Sequence, residues 1–299
     1  MDRRTILRYL AAATLLPAIS GKAASAVTKR PIPSTGEQIT PVGLGTWQTF
    51  DAGDSTGELD PLREVLKILI NKSGSVVDSS PMYGRSEGVV GKLSTELSLN
   101  DKLFIATKVW TSGESEGIRQ MDKSFALLQR SQIDLMQVHN LVDWKTHLKT
   151  LQRMKDEQRI RYTGITHYSE SAYDQMERIM RDYPIDFMQV NYSLQSRLAE
   201  QRLLPLAQEK GIAVIINQPF EEGALFASVK GKQLPEWAKH FECFSWAQFF
   251  LKFIISHPAV TCVIPGTSNP RHMADNITAA YGSLPDTQMR AEMVKVLAS

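Results

Sequence analysis

Short apolar runs and segments with helical spacing alternate eight times along this 299-residue chain. The apolar runs, each of four to seven residues, cover 42–47, 75–78, 103–109, 134–139, 162–167, 186–191, 212–218 and 260–266. Segments in which apolar residues recur at helical spacing follow at 62–71, 86–97, 118–130, 146–157, 171–181, 199–210, 237–256 and 270–280. A strand followed by a helix, eight times over, predicts the α/β class and a (β/α)8 TIM barrel. A Ser-Thr-Gly turn between two extended pieces predicts an N-terminal β-hairpin within 30–41.

The first 26 residues have the features of an export signal. Arg3 and Arg4 precede an apolar stretch at 9–19, and a small-x-small pattern at 24–26 is typical of a cleavage site. This order predicts a twin-arginine-type signal peptide over 1–26, and export of the folded protein to the periplasm by the twin-arginine machinery. The apolar stretch is too short to span a bilayer, so no stable membrane anchor is expected. A basic tail on a cytoplasmic protein is the alternative.

Composition excludes several classes of function for the single mature domain predicted over 27–299. Loss of the signal changes the formal net charge from +2 to −1, because the signal carries four basic residues and one acidic residue. Nucleic-acid binding therefore has no electrostatic support. Cys243 and Cys262 lack metal-ligand spacing and are expected to be core thiols, with a disulfide left open for an exported protein. No motif predicts a metal site.

Four polar residues stand at or just beyond the ends of three successive predicted strands: Asp78, Tyr83, Lys108 and His139. In a closed barrel the carboxyl ends of parallel strands face one mouth, which is where barrel enzymes place their catalytic groups. A phenol beside an ammonium can give a proton to a carbonyl oxygen, because the ammonium stabilises the phenolate and lowers the pKa of the phenol.

The other two residues complete this predicted group. Asp78 would fix the position of Lys108 and balance its charge, and a neutral His139 would hold the carbonyl oxygen beside the Tyr83 hydroxyl. Taken singly, each residue also has an ordinary structural explanation, such as a buried ion pair or a strand-end histidine.

The chain resembles the aldo/keto reductase family from the hairpin through Ala280. The matching segments, which appear in the family's order and spacing, are 43–47, 77–88, 106–108, 134–139, 164–167, 189–192 and 264–267. The resemblance implies an NAD(P)-dependent reductase that transfers hydride between a nicotinamide cofactor and a small aldehyde, ketone or alcohol. It implies a cofactor held on a barrel, and the chain lacks the G-x-G-x-x-G fingerprint of a dinucleotide-binding sheet.

The resemblance also implies the residues at the nicotinamide end of the cofactor. Thr166 and His167 occupy the place of the family's Ser-Asn pair, which hydrogen-bonds the nicotinamide carboxamide, and Gln189 matches the family's glutamine. Asn217 stands where many members have an aromatic residue that stacks on the nicotinamide ring. Loss of that ring is expected to weaken binding or to change the orientation of the nicotinamide.

The other end of the cofactor is expected at the start of the last predicted barrel helix. Small residues and free amides at a helix N-terminus form an anion site, and Gly266, Thr267, Arg271 and His272 lie there. By resemblance, Gly266 replaces the family's phosphate-binding lysine and His272 the usual arginine. The adjoining pair that matches the family's adenine-facing Glu-Asn is Asp275 and Asn276. NADP is therefore favoured, with NAD also compatible.

Three tryptophans that follow or end predicted strands are candidates for an apolar substrate pocket: Trp47, Trp110 and Trp144. Packing at the barrel rim is the alternative for each of them. Two other functions are also open. One is a cofactor-binding regulatory protein, since channel β subunits resemble the same family, and turnover with any aldehyde would exclude it. The other is a Schiff-base aldolase that uses Lys108, which borohydride trapping would detect.

Overall fold

The computed structural model describes residues 26–298, so the predicted signal peptide lies almost entirely outside the described residues. The strands are β1 Arg30–Pro31, β2 Gln38–Ile39, β3 Leu44–Gly45, β4 Val76–Asp78, β5 Phe104–Val109, β6 Ile133–His139, β7 Ile160–Thr166, β8 Phe187–Asn191, β9 Ala213–Asn217 and β10 Cys262–Val263. The helices are α1 Thr56–Asn71, α2 Ser86–Glu96, α3 Glu114–Leu128, α4 Trp144–Asp156, α5 Tyr173–Asp182, α6 Leu203–Lys210, α7 Ala224–Ser228, α8 Trp246–Ile255, α9 Pro270–Thr278 and α10 Thr287–Ala298.

Strands β3 to β10 form one parallel sheet in chain order, and the sheet closes on itself. Closure is made by parallel bridges from Val42 to Val263 and from Gly45 to Gly266. The predicted (β/α)8 barrel is therefore confirmed. Strands β1 and β2 pair antiparallel as a separate hairpin, which was also predicted.

On several strands the side chains that point into the barrel change from apolar to polar toward the carboxyl end. On β6, for example, buried Leu135 is followed by Gln137 and His139 at alternate positions. The apolar layer consists of Ile32, Ile39, Val76, Phe104, Ala106, Leu135, Tyr162, Phe187, Ala213, Ile215, Cys262 and Ile264. Ile32 and Ile39 belong to the hairpin, which therefore covers the amino-terminal end of the barrel and leaves the polar residues at the other mouth.

Two helices begin at positions that differ from the apolar pattern, and side-chain hydrogen bonds are found at the start of each. Helix α1 begins six residues before the predicted segment, at Thr56. The Glu58 carboxylate there accepts hydrogen bonds from Gly53 N (2.9 Å) and Ser55 Oγ (2.5 Å), an arrangement related to a capping box. The predicted helix over 237–256 is interrupted, because Ser245 caps α8 by accepting from Gln248 N at 3.1 Å.

Helices α7 and α10 were not predicted, because neither follows the strand–helix alternation. Arg290 fastens α10 to the barrel, donating to Glu200 Oε1 (2.5 Å) and to the Tyr192 hydroxyl (2.7 Å). Both cysteines are free and buried, and burial raises the pKa of Cys243 to about 12. Between residues 26 and 298, no helix has both the length and the apolar composition to cross a bilayer.

Candidate active site

A buried ion pair stands at the polar mouth of the barrel. Neighbouring strands β4 and β5 bring Lys108 Nζ within 2.6 Å of Asp78 Oδ2 and within 2.6 Å of the Ser79 carbonyl oxygen. Burial alone would lower the pKa of Lys108, but Asp78 and Tyr83 outweigh it and the pKa is raised. Lys108 is therefore an ammonium at neutral pH. The other Asp78 oxygen accepts from Gln137 Nε2 at 3.3 Å.

Tyr83 lies over this ion pair, on the loop between β4 and α2. The Lys108 ammonium nitrogen is 4.9 Å from the centroid of the Tyr83 ring. Burial raises the pKa of Tyr83 and outweighs the opposing effect of Lys108. Lys108 does lower the pKa of Tyr83 as expected, but burial of the ring has the larger effect, which the sequence does not show. Tyr83 keeps its proton at neutral pH and is available as an acid.

His139 completes the group from the end of β6. Its ring packs edge-on against Tyr83, with centroids 5.9 Å apart, and its Nδ1 lies 3.0 Å from Ser80 Oγ. Burial lowers the pKa of His139 to about 2, and the charge of Lys108 and the His167 ring add to the effect. The imidazole is therefore neutral. The structure thus brings all four predicted residues together, while their catalytic role remains a prediction.

The residues predicted for the nicotinamide end lie at the carboxyl ends of three neighbouring strands. Thr166 on β7 is in register with Gln189 on β8, and Asn217 ends β9. The Oδ1 atom of Asn217 is buried and has no hydrogen-bond partner. An unpaired buried acceptor is costly, so this atom fits an amide donor from a bound group such as a carboxamide. The His167 Nδ1 accepts from Ser169 N at 3.0 Å, and burial lowers the pKa of His167.

A cavity of about 410 Å³ lies at the start of α9. It is lined by Phe220, Phe226, Ser245, Trp246, Ala247, Gly266, Thr267, His272, Asp275 and Asn276. Five of the six residues predicted for this end of the cofactor are therefore in one cavity. The sixth, Arg271, is exposed at the helix start, where its amide donates to Asn269 Oδ1 at 2.9 Å.

The aromatic side of this cavity was not predicted. Phe220 and Phe226 come from the segment after β9, and Trp246 begins α8. No spacing rule connects these positions, since the chain between them forms several short helical segments and loops. Their only sequence signal was a local concentration of aromatic residues in 220–250.

Asp275 is engaged by protein groups on both carboxylate oxygens. Its Oδ2 accepts from Ser245 Oγ at 2.7 Å, and its Oδ1 accepts from Gln248 Nε2 at 2.6 Å. These bonds join the start of α8 to α9 and fix one wall of the cavity.

The three tryptophans occupy different surroundings. Trp110 lies near the group at the barrel mouth, with its ring centroid 6.4 Å from that of His139, and it is 42% exposed. Trp47, just after β3, is 43% exposed. Trp144 instead packs edge-on against Tyr183 at 4.8 Å, beside the hydrophobic core.

The fold and the site together define a (β/α)8 protein with a buried group of tyrosine, lysine, aspartate and histidine at the carboxyl mouth of the barrel. The sequence profile of the Aldo/keto reductase family matches residues 41–295. The chain belongs to the aldo/keto reductase family.

Known relatives agree with this assignment at low identity. The chain is 26% identical to the NADH-specific methylglyoxal reductase of Escherichia coli, over 90% of this chain and 99% of that protein. It is 27% identical to the aldo-keto reductase YhdN of Bacillus subtilis, over 65% of this chain and 62% of that protein. An aldo/keto reductase from Klebsiella pneumoniae, solved in complex with NADP and acetate, aligns with a TM-score of 0.77 at 22% identity, covering 91% of this chain and 96% of that one.

Proposed function

We propose that this protein is an NAD(P)-dependent oxidoreductase that transfers hydride between a nicotinamide cofactor and a small aldehyde, ketone or alcohol. The observation that carries the proposal is the group of Tyr83, Lys108, Asp78 and His139 at the barrel mouth. The relatives support the same chemistry, since one is a methylglyoxal reductase specific for NADH.

Each of these side chains has a task in carbonyl reduction. The cofactor would supply the hydride that reaches the carbonyl carbon. The carbonyl oxygen then gains negative charge, and Tyr83 gives it the phenolic proton. Lys108 stabilises the phenolate that remains, and Asp78 keeps the ammonium in place. His139, being neutral, donates a hydrogen bond to the same oxygen without competing for the proton.

The cofactor would lie along the barrel mouth between two regions of this chain. Thr166, Gln189 and Asn217 would hold the nicotinamide carboxamide, and the unpaired Asn217 oxygen supports this placement. The cavity at the start of α9 would take the adenosine and phosphate end, where backbone amides and the helix dipole favour anions. NADP and NAD are both compatible with this cavity. Arg271, which could pair with the 2′-phosphate of NADP, stands beside the cavity but does not line it.

Steady-state turnover tests the proposal directly. Protein purified without added nucleotide would be assayed with NADPH and with NADH against methylglyoxal, glyoxal and a series of aromatic aldehydes. We expect consumption of one or both cofactors in stoichiometry with alcohol formed. Cofactor binding without turnover of any substrate would contradict the proposed enzymatic activity and favour a cofactor-binding regulatory protein. If the protein shows no cofactor binding and no turnover, both the enzymatic and the regulatory function are refuted.

We also propose that the protein is exported with its fold complete. The support is the order of Arg3, Arg4, the apolar stretch and the small-x-small pattern in the sequence. Replacing Arg3 and Arg4 by lysine should keep the precursor in the cytoplasm, as judged by cell fractionation. Unchanged periplasmic accumulation, or a mature N-terminus far from Val27, would refute this proposal and leave the reductase proposal untouched.

A further inference from the structure

Ser80 makes three polar contacts beside the catalytic group. Its carbonyl oxygen accepts from Tyr83 N at 3.0 Å and closes the turn that carries the tyrosine. Its hydroxyl oxygen accepts from Met82 N at 3.4 Å and lies 3.0 Å from His139 Nδ1. Ser80 is 1% exposed, so these contacts are shielded from water.

The direction of the bond between Ser80 and His139 depends on where the buried hydroxyl hydrogen can go, since a serine oxygen can accept a second hydrogen bond besides the one from Met82 N. A serine hydroxyl has one hydrogen to give. Its oxygen already accepts from Met82 N, and Nδ1 of His139 is the acceptor that the described structure offers to its hydrogen. A proton on Nδ1 would leave this buried hydroxyl hydrogen without an acceptor among the described residues, which favours a lone pair on Nδ1. A neutral imidazole has one N–H, which must then be on Nε2.

We propose that Ser80 is a positioning residue that holds His139 in the tautomer with its proton on Nε2, so that this N–H points at the substrate carbonyl oxygen. The opposite tautomer would present a lone pair to that oxygen and repel it. Across residues 26–298, no hydrogen bond engages Nε2, which leaves it available to substrate. The assignment rests on the proposed reductase function.

The same residue also couples His139 to the acid. The Ser80 carbonyl holds the backbone of Tyr83 while the Ser80 hydroxyl holds the ring of His139. The two rings stand at 86° to each other. Both hydrogen-bond donors to the substrate oxygen are thus positioned by one turn residue, although they come from different parts of the barrel.

The inference is tested first on the resting protein, without turnover. Nitrogen-15 NMR of the histidine ring, assigned by comparison with His139→Gln, distinguishes a protonated from an unprotonated nitrogen. We expect the wild type to show a protonated Nε2 and an unprotonated Nδ1. A protonated Nδ1 would overturn the inference whatever the enzyme catalyses.

Kinetics provide the second test. Ser80→Ala should lower kcat about fivefold, as expected for one hydrogen bond of ordinary strength, with little change in the KM for cofactor. Ser80→Thr keeps the hydroxyl and should retain most of kcat. Ser94→Ala is the matched control, because buried Ser94 donates only within α2, to the Gly91 carbonyl at 3.2 Å. Wild-type kcat in Ser80→Ala would overturn the inference, whereas an inactive wild type would refute the reductase proposal instead.

Discussion

The ammonium nitrogen of Lys108 lies 4.9 Å from the centre of the Tyr83 ring. Burial raises the pKa of Tyr83, while Lys108 acts in the opposite direction. Tyr83 therefore keeps its proton in the resting protein. In the proposed reaction it would give this proton to the carbonyl oxygen, and the ammonium would stabilise the phenolate that remains.

Tyr83→Phe should remove the acid while leaving the barrel intact. The change deletes one hydroxyl, and the ring can keep its edge contact with His139. We expect turnover to fall by about 10² or more, as is usual for loss of a general acid, with nearly unchanged binding of NADPH by fluorescence titration. Reduction of test aldehydes at the wild-type rate by the Phe variant would show that another group gives the proton.

Lys108→Met should destabilise the fold as well as abolish turnover. It leaves the Asp78 carboxylate buried without its ionic partner, which typically costs about 3–5 kcal/mol. Adding Asp78→Asn removes the unpaired charge and should restore part of the stability without restoring activity. Urea unfolding of the wild type, both single variants and the double variant measures this coupling. Equal stability of Lys108→Met and the wild type would contradict a paired, buried ammonium.

His139 should make the protein less stable in acid. Burial, aided by Lys108 and His167, lowers the pKa of His139 to about 2, whereas an unfolded histidine titrates near about 6.5. Below about pH 6.5, His139 binds a proton in the unfolded chain but not in the folded protein, so acidification favours unfolding. The loss approaches about 1.4 kcal/mol per pH unit.

His139→Gln should therefore flatten the decline in the free energy of unfolding between about pH 7 and about pH 5. The measurement is chemical denaturation at each pH. Parallel curves for the variant and the wild type would mean that folding does not depress the histidine pKa. The same lowered pKa predicts that His139 causes no acid limb in kcat above about pH 5.

Asn217→Leu should separate folding from cofactor binding. The Asn217 Oδ1 is buried without a partner, so its removal should leave the free energy of unfolding of the cofactor-free protein unchanged or raise it by about 1 kcal/mol. Loss of the Asn217 side-chain amide should weaken NADPH or NADH binding by about tenfold. The readouts are thermal unfolding and isothermal titration. Lower stability with intact cofactor affinity would assign Asn217 a structural role only.

The barrel and the grouping of polar residues at its mouth could be predicted because both depend on local order in the chain. Alternating strands and helices impose a parallel sheet, and parallel strands bring their carboxyl ends to one mouth. The positions at strand ends were sufficient to predict that Asp78, Lys108 and His139 lie together. The cavity residues Gly266 and Thr267 were likewise placed by following the last strand.

Features that depend on packing between distant segments could not be predicted. Phe226 and Trp246 reach the cavity through α7 and α8, and Asp275 is held by Ser245 across two helices. Trp144 packs against Tyr183, because a position at the start of a helix does not by itself determine which neighbouring side chain a residue contacts.

The amino-acid sequence by itself determined which chemical groups stand at the barrel mouth, because strand periodicity and order fix side-chain direction. Only the tertiary structure decided their protonation states and hydrogen-bond partners. The pKa of Tyr83 rises, and the Ser80 hydroxyl meets His139, because burial and distance in space are set by the closed barrel. Desolvation and contact across 59 positions of chain are properties of the packed molecule, which no local pattern of residues contains.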